Sequence, residues 1–425
     1  MSKYQDIVST IAAQINSGQL QKGDKLPSIR LLSQKYQCSK DTAQRALLEL
    51  KFRNLVYAVE KSGYYVLERK FKQESPLNIS LSDYNNMAFE DFRRCMAESL
   101  VNRENYLFNY YHQHQGLEEL LTSLKNYLSE DAIYTKEKNI LVTSGTQQAL
   151  YILSQITFPN QKKTILLEQP TYHRMIDLVK AQNLPFLTIN RDFEGLDLNQ
   201  LEKLFKTGDI KFFYTISRFS NPLGLSYSSV EKQKIIELAQ RYDVYIVEDD
   251  YMGDFAKSND LPLHYYDISD HVIYLKSFSM TLFPALRLGS LILPTILTET
   301  FLSYKKMMDY DTSLIMQKAL SLYLDNGMFT KNVTYLRHVF QKQIESAQKV
   351  LDETTITYPY NISPQTVILK IAEHNHLGYL TYTDDIHFLD YNYLYPSQKN
   401  FVQLQNNSNL AQNLQLILSK QFYHN

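Results

Sequence analysis

The sequence predicts a multidomain protein, with a small basic helical head, a large α/β body and a smaller α+β lobe. Three observations lead there. The chain has 425 residues, too many for one core at about 150 residues per domain. Charge divides unevenly: residues 1–75 hold 13 Lys/Arg against 7 Asp/Glu, while the whole chain holds 44 against 45. From about residue 139, fully apolar runs alternate with helical patterns, which predicts a mostly parallel sheet covered on both faces. Hydrophobic residues at 44% and charged residues at 21% exclude a collagen, a rod or bulk disorder. Two cysteines, Cys38 and Cys95, rule out a disulfide scaffold and favour the cytoplasm. No Cys/His cluster has zinc spacing, so no metal is expected. The start MSKYQDIVST lacks the apolar stretch of a signal peptide. No run approaches the ~18 apolar residues of a membrane helix.

The head is read first. Ile7, Ile11 and Ile15 recur every four residues, one face of a helix. Gly18 and Gly23 flank the turn that follows. Ser28 is placed to cap a second helix, IRLLSQKY, and Pro27 fixes its entry. Ser39 is placed to cap a third, KDTAQRALLELKF, with an apolar stripe of Ala43, Ala46, Leu47 and Leu50. Two β-like runs, LVYAVE and GYYVLE, then meet at Lys61–Ser62–Gly63. Three helices and a hairpin describe a winged helix-turn-helix, and a basic head of this kind suits nucleic acid.

GDKLPSIRLLSQKYQCSKDTAQRALLEL and the wing KSGYYV resemble the DNA-binding domain of GntR-type bacterial regulators. The resemblance implies that Ser28, Arg30, Ser39, Lys40, Thr42 and Arg45 face phosphates and bases of an operator duplex, with Lys61 and Gly63 at the wing tip. The first turn of a capped helix can enter the major groove, where Arg reads guanine and hydroxyls hold phosphate.

Residues 69–84 read as a linker between the head (1–68) and the body (85–325). The lobe spans 326–425. In the body the runs are ILVTSG, TILLEQP, FFYTIS, VYIVEDD, VIYLKS and SLILP. TQQALYILSQI and SSVEKQKIIELAQRY are the helical patterns between them. Ligands of such sheets sit at the carboxyl ends of strands. Candidates cluster there: Ser144, Gly145 and Thr146; Tyr172 and Arg174; Asn221; Asp249 and Tyr251; Ser277. A long amphipathic helix near 332–352, the runs TVILKI and FVQLQ, and a last helix make the lobe.

The motifs YHQHQGLEELLTSLKNYL, TSGTQQAL, EQPTYHR, SNPLG, VEDDY and SFSMTLFPALRLG resemble, in family order, the class I aminotransferases of fold type I. Those enzymes use pyridoxal 5′-phosphate. Head and body together resemble the MocR subfamily of GntR-type regulators. The likeness implies roles. Ser144, Gly145, Thr146 and Gln147 open a helix after a strand, where free N–H groups and the helix dipole suit a phosphate. Ser277 and Arg287 would add a hydroxyl and a bidentate cation. Asp249 would pair with the pyridine nitrogen. Asn221 and Tyr251 would bond the ring's 3′ oxygen, and Tyr172 would stack on the ring. Tyr111 would reach a neighbouring subunit's phosphate, which implies a homodimer.

Two positions depart from the pattern. The family string SFSK, whose lysine tethers the cofactor, reads Ser277–Phe278–Ser279–Met280 here, while Pro284, Arg287 and Gly289 stay in register. A thioether can neither condense with an aldehyde nor shuttle a proton. In the lobe, NFVQLQ puts Gln403 where an arginine clamps a substrate carboxylate, and an amide is the weaker partner. Arg174 remains for an acidic group. Leu223 stands where threonine is frequent.

The expected function is a DNA-binding transcriptional regulator, catalytically degenerate. Its body would dimerise and sense a small effector, pyridoxal 5′-phosphate or a related vitamer held noncovalently. The alternative is an active aminotransferase that carries a DNA-binding head and uses another lysine. Lys276 is the nearest candidate, roughly 13 Å from residue 280 along a strand. A third reading is a dimeriser whose site has closed.

Overall fold

A computed structural model describes residues 3–21, 23–52, 55–59, 62–67, 81–101, 114–309, 311–354, 356–371, 386–388 and 401–419. The chain forms two compact units, Met1–Tyr110 with Ser313–Thr334 and Tyr111–Thr312 with Tyr335–Asn425.

The first unit holds helices α1 (Lys3–Asn16), α2 (Ile29–Lys35) and α3 (Lys40–Phe52) and the antiparallel strands β1 (Val56–Val59) and β2 (Gly63–Val66). Ile7, Ile11 and Ile15 pack with Ala43, Ala46, Leu47 and Leu50 in one buried cluster, as the four-residue spacing requires. Ser28 Oγ accepts from Leu31 N at 3.3 Å and Ser39 Oγ from Thr42 N at 3.1 Å. Both caps satisfy N–H groups that a helix start leaves free. Gly23 has a φ of +81°, and a Cβ there would meet the Arg94 guanidinium at 3.2 Å. Residues 81–84, read from sequence as the end of a linker, open helix α4 (Leu81–Ser99). Phe92 of α4 packs edge-on to Tyr323 at 5.8 Å in α12 (Leu314–Asp325).

The second unit is built on an eight-stranded sheet. In chain order its elements are α5 (Glu118–Glu130), β3 (Ile140–Thr143), α6 (Thr146–Gln155), β4 (Thr164–Gln169), α7 (His173–Ala181), β5 (Phe186–Asp192), β6 (Gly195–Leu196), α8 (Leu198–Thr207), β7 (Ile210–Thr215), α9 (Ser229–Arg241), β8 (Tyr245–Asp249), α10 (Leu263–Tyr266), β9 (Val272–Ser277), β10 (Gly289–Ile292) and α11 (Thr295–Met308). The strand order is β3-β10-β9-β8-β7-β4-β5-β6. Neighbours from β9 through β5 run parallel, whereas β10 is antiparallel to both its neighbours and β6 folds back on β5. The carboxyl ends of β3, β9, β8, β7, β4 and β5 therefore share one edge with the amino end of β10. Side-chain alternation divides the core. Tyr214, Val247 and Leu275 lie in one buried cluster, and Phe213, Ile246 and Val272 lie in another. A capping box between Ser228 and Glu231 starts α9.

The lobe joins α13 (Met328–Glu353), β11 (Tyr360–Ile362), β12 (Thr366–Lys370), β13 (Ile386–Phe388), β14 (Phe401–Gln405) and α14 (Leu410–Ser419). Its strands form an antiparallel sheet in the order β11-β12-β14-β13. Among the described residues, no helix is long and apolar enough to cross a membrane.

Candidate functional site

The strand-end residues gather at the shared edge. Register puts Thr143, Gly289 and Ser277 in one row across β3, β10 and β9. Gly145 caps α6 with a φ of +79°. Arg287, itself left-handed at +53°, donates from Nη2 to the Ser144 carbonyl at 3.3 Å. A Cβ on Gly145 would come within 3.1 Å of that guanidinium, and one on Gly289 within 2.9 Å of Thr146 N. Two glycines thus let a cation, a hydroxyl row and a helix N-terminus converge, a cradle whose chemistry suits an anion. Ser144 N donates to Gln148 Oε1 at 2.9 Å and Ser144 Oγ to Asp309 Oδ2 at 3.0 Å. Gln147 Nε2 is buried without a partner.

Asp249, at the tip of β8, is 4% exposed. Tyr214 donates its hydroxyl to Oδ2 at 2.8 Å, while Oδ1 is buried and unpartnered. Burial pushes its carboxyl up to about 7, against the Tyr214 hydrogen bond, and nearby Asp250 adds to the rise. Leaving such an oxygen unpaired costs on the order of 1–3 kcal/mol. Tyr172, half-buried, packs on the same core cluster as Tyr251. Burial raises its hydroxyl, Arg174 and Arg287 lower it, and Asp249 raises it. Tyr172 thus lies within electrostatic reach of Arg174, Asp249 and Arg287. Tyr251 is raised by burial first and Asp249 second, and it donates to the Phe219 carbonyl at 3.1 Å.

Asn221 lies before a cis proline bond after β7, Met280 is half-buried in the turn after β9, and Gln403 lies mid-strand in the lobe. Among the described residues, no hydrogen bond joins these three to the cradle. Tyr111 and Lys61 lie outside the described residues. Lys276 shares its sheet face with Tyr274, the face opposite Asp249. It is 1% exposed and paired with Asp254 at 2.7 Å. Tyr127 and Thr281 also donate to that carboxylate.

Sequence reasoning missed Tyr214, Gln148 and Asp309. Gln148 was findable, four residues past Ser144 on the helix the motif opens. Tyr214 looks like any apolar strand residue, and Asp309 sits in no motif.

In the head, Ser28, Arg30, Ser39, Lys40 and Arg45 are exposed and Thr42 is half-buried. Ser39 Oγ and Thr42 Oγ1 are 2.9 Å apart. Arg45 lies over the Tyr4 ring at 5.3 Å. Gly63, at +121°, turns the wing.

Residues 75–378 match the aminotransferase class I and II family, and residues 3–66 match the bacterial regulatory proteins of the gntR family. The uncharacterized HTH-type transcriptional regulator YcxD of Bacillus subtilis is 43% identical over 350 residues, covering 81% of this chain and 79% of its own. Aromatic-amino-acid aminotransferase 1 of Thermococcus litoralis is 29% identical over 247 residues, 56% of this chain and 59% of its own. In fold, the chain is similar to the multiple substrate aminotransferase of Thermococcus profundus, with a TM-score of 0.68 at 21% identity, covering 79% of this chain and 88% of that one. The chain belongs to the aminotransferase class I and II family through its body and carries a gntR-family helix-turn-helix head, the MocR-like layout of HTH-type transcriptional regulators.

Proposed function

We propose that this transcriptional regulator binds an operator duplex through its head and senses a phosphorylated pyridine through its body, with no covalent tether. The proposed ligand is pyridoxal 5′-phosphate or a related vitamer, and the proposed working form is a cytoplasmic homodimer. One observation carries the reading: Asp249 is buried with Oδ1 unpaired among the described residues, within electrostatic reach of Tyr172, which Arg287 also reaches. A buried acid with a free oxygen suits a protonated ring nitrogen, and the Ser144–Gln147 turn with Arg287 suits a phosphate.

The residues present thus fit the cofactor that the fold family uses. When bound, that cofactor supplies an electron sink. Asp249 would hold the ring nitrogen, Tyr172 would cover a ring face, and Ser144, Gly145, Thr146, Gln147, Ser277 and Arg287 would hold the phosphate. Met280 brings no amine, and Lys276 is held in its ion pair on the opposite sheet face. Neither supplies a base at the site, so binding and not turnover is the proposed role. Ligand binding would bias the placement of the two heads and so the half-site spacing they read. Arg174 and Gln403 remain proposed effector contacts.

The test combines two readouts on the full chain. Borohydride treatment with pyridoxal 5′-phosphate, followed by intact mass, is expected to leave the protein mass unchanged. Anisotropy with an operator fragment is expected to shift when the ligand is added. A mass increase confined to one site lysine, with amino transfer to a keto acid, would replace this reading with the enzyme.

A further inference from the structure

We propose that Asp309 is a resident anion of the phosphate cradle, standing where a ligand's phosphate oxygen would stand and thereby setting the affinity for phosphorylated ligands. This rests on the reading of the strand ends as a ligand site. Asp309 Oδ2 accepts from Ser144 Oγ at 3.0 Å, and its Oδ1 is buried without a partner. Ser144 is the residue whose carbonyl takes Arg287 Nη2 at 3.3 Å, and Gly145 next to it caps α6. An acidic oxygen thus occupies the hydroxyl that leads into the cradle.

Carboxylate and phosphate cannot share that hydroxyl at close range without like-charge repulsion. A phosphate must therefore displace the Asp309 side chain. Among the described residues, Oδ1 has no hydrogen-bond partner to hold it there. Its position in the chain gives the displacement a consequence. Asp309 follows α11, just before the chain passes from the second unit into the first between Thr312 and Ser313. The first unit carries the head, so expulsion of Asp309 acts on the segment that leads to it.

Calorimetric titrations of the full chain and of Asp309→Asn test this. The probes are pyridoxal 5′-phosphate, pyridoxal and inorganic phosphate. Asparagine keeps the shape and drops the charge. The expected result is at least tenfold tighter binding of pyridoxal 5′-phosphate by the variant, a smaller gain for inorganic phosphate, and no change for pyridoxal. Equal affinity in both proteins, or a parallel shift for pyridoxal, overturns it and leaves the ligand site standing. No binding by either protein overturns both. Asp309→Ala serves if the asparagine variant does not fold.

Discussion

Two sets of buried polar groups sit in the body's sheet, and they are treated oppositely. On the face that packs Phe213 and Ile246, charges are matched. Arg191 reaches Glu168 at 3.0 Å, and Thr215 and Tyr227 donate to the same carboxylate. Arg218 pairs with Asp250, which also takes the Tyr274 hydroxyl at 2.5 Å. Glu248 accepts from Leu263 N at 2.7 Å and His264 N at 2.9 Å. Asp249 Oδ1 at the tip of β8 and Gln147 Nε2 in the first turn of α6 are buried and meet no partner among the described residues. A satisfied network fixes a fold. On the proposed reading, a set left unsatisfied at one edge is kept for a ligand that the chain does not itself supply. Pairing, more than burial, separates scaffold from site.

The largest expected effect would break the first half of that contrast. Arg191→Met strands Glu168 in the core, and removing one member of a buried pair costs about 3–5 kcal/mol. Denaturant unfolding of the body should show it. A loss under ~1 kcal/mol would mean the matched set is not scaffold.

Asp249→Asn tests the other half, and its sign is the reverse. Burial raises the native carboxyl from 3.8 to about 7. Between those values the native chain binds more protons than the unfolded one, so stability on this account falls as pH rises through the window. Asparagine should abolish that slope and stabilise the ligand-free chain at pH 8 by on the order of 1–3 kcal/mol. Thermal midpoints at pH 5 and pH 8 for both proteins check it. A variant less stable at pH 8 would place Asp249 with the scaffold.

The head extends the contrast to groups that meet water. Arg45→Ala should weaken operator binding about tenfold, within the ~1–3 kcal/mol of a base contact, and leave the melting of the head unchanged. A gel-shift series reads the first and calorimetry the second. Unchanged affinity removes Arg45 from the reading face. The smallest effect is Ser39→Ala, which removes the α3 cap and should cost the head about 1 kcal/mol. Circular dichroism of the melting head measures it.

Much of this was legible in the residues. The isoleucine spacing, the Ser28 and Ser39 caps and the six apolar runs fix the head and six of the sheet's eight strands, because period and capping are local. β5 and β6 were not, because Phe186–Asp192 mixes apolar Leu187 and Ile189 with polar Thr188, Asn190 and Arg191 near the sheet edge and β6 is two residues long. The antiparallel course of β10 depends on its partners and not on its own apolar run. At the site, Ser144, Gly145 and Asp249 were readable because they stand at strand ends, whereas Arg287, just before β10, was named only through the family motif. That Tyr214 takes one Asp249 oxygen and leaves the other depends on two strands coming together. Asp309 meets Ser144 across 165 positions, a pairing that no local spacing announces.

The most direct test is calorimetric titration of pyridoxal 5′-phosphate into the full chain and into Asp249→Asn. Saturable binding by the unaltered chain, lost or weakened at least tenfold in the variant, is the predicted result. Equal binding by both proteins, or none by the unaltered chain, would contradict an account in which the unpaired oxygen of Asp249 is kept for a ligand.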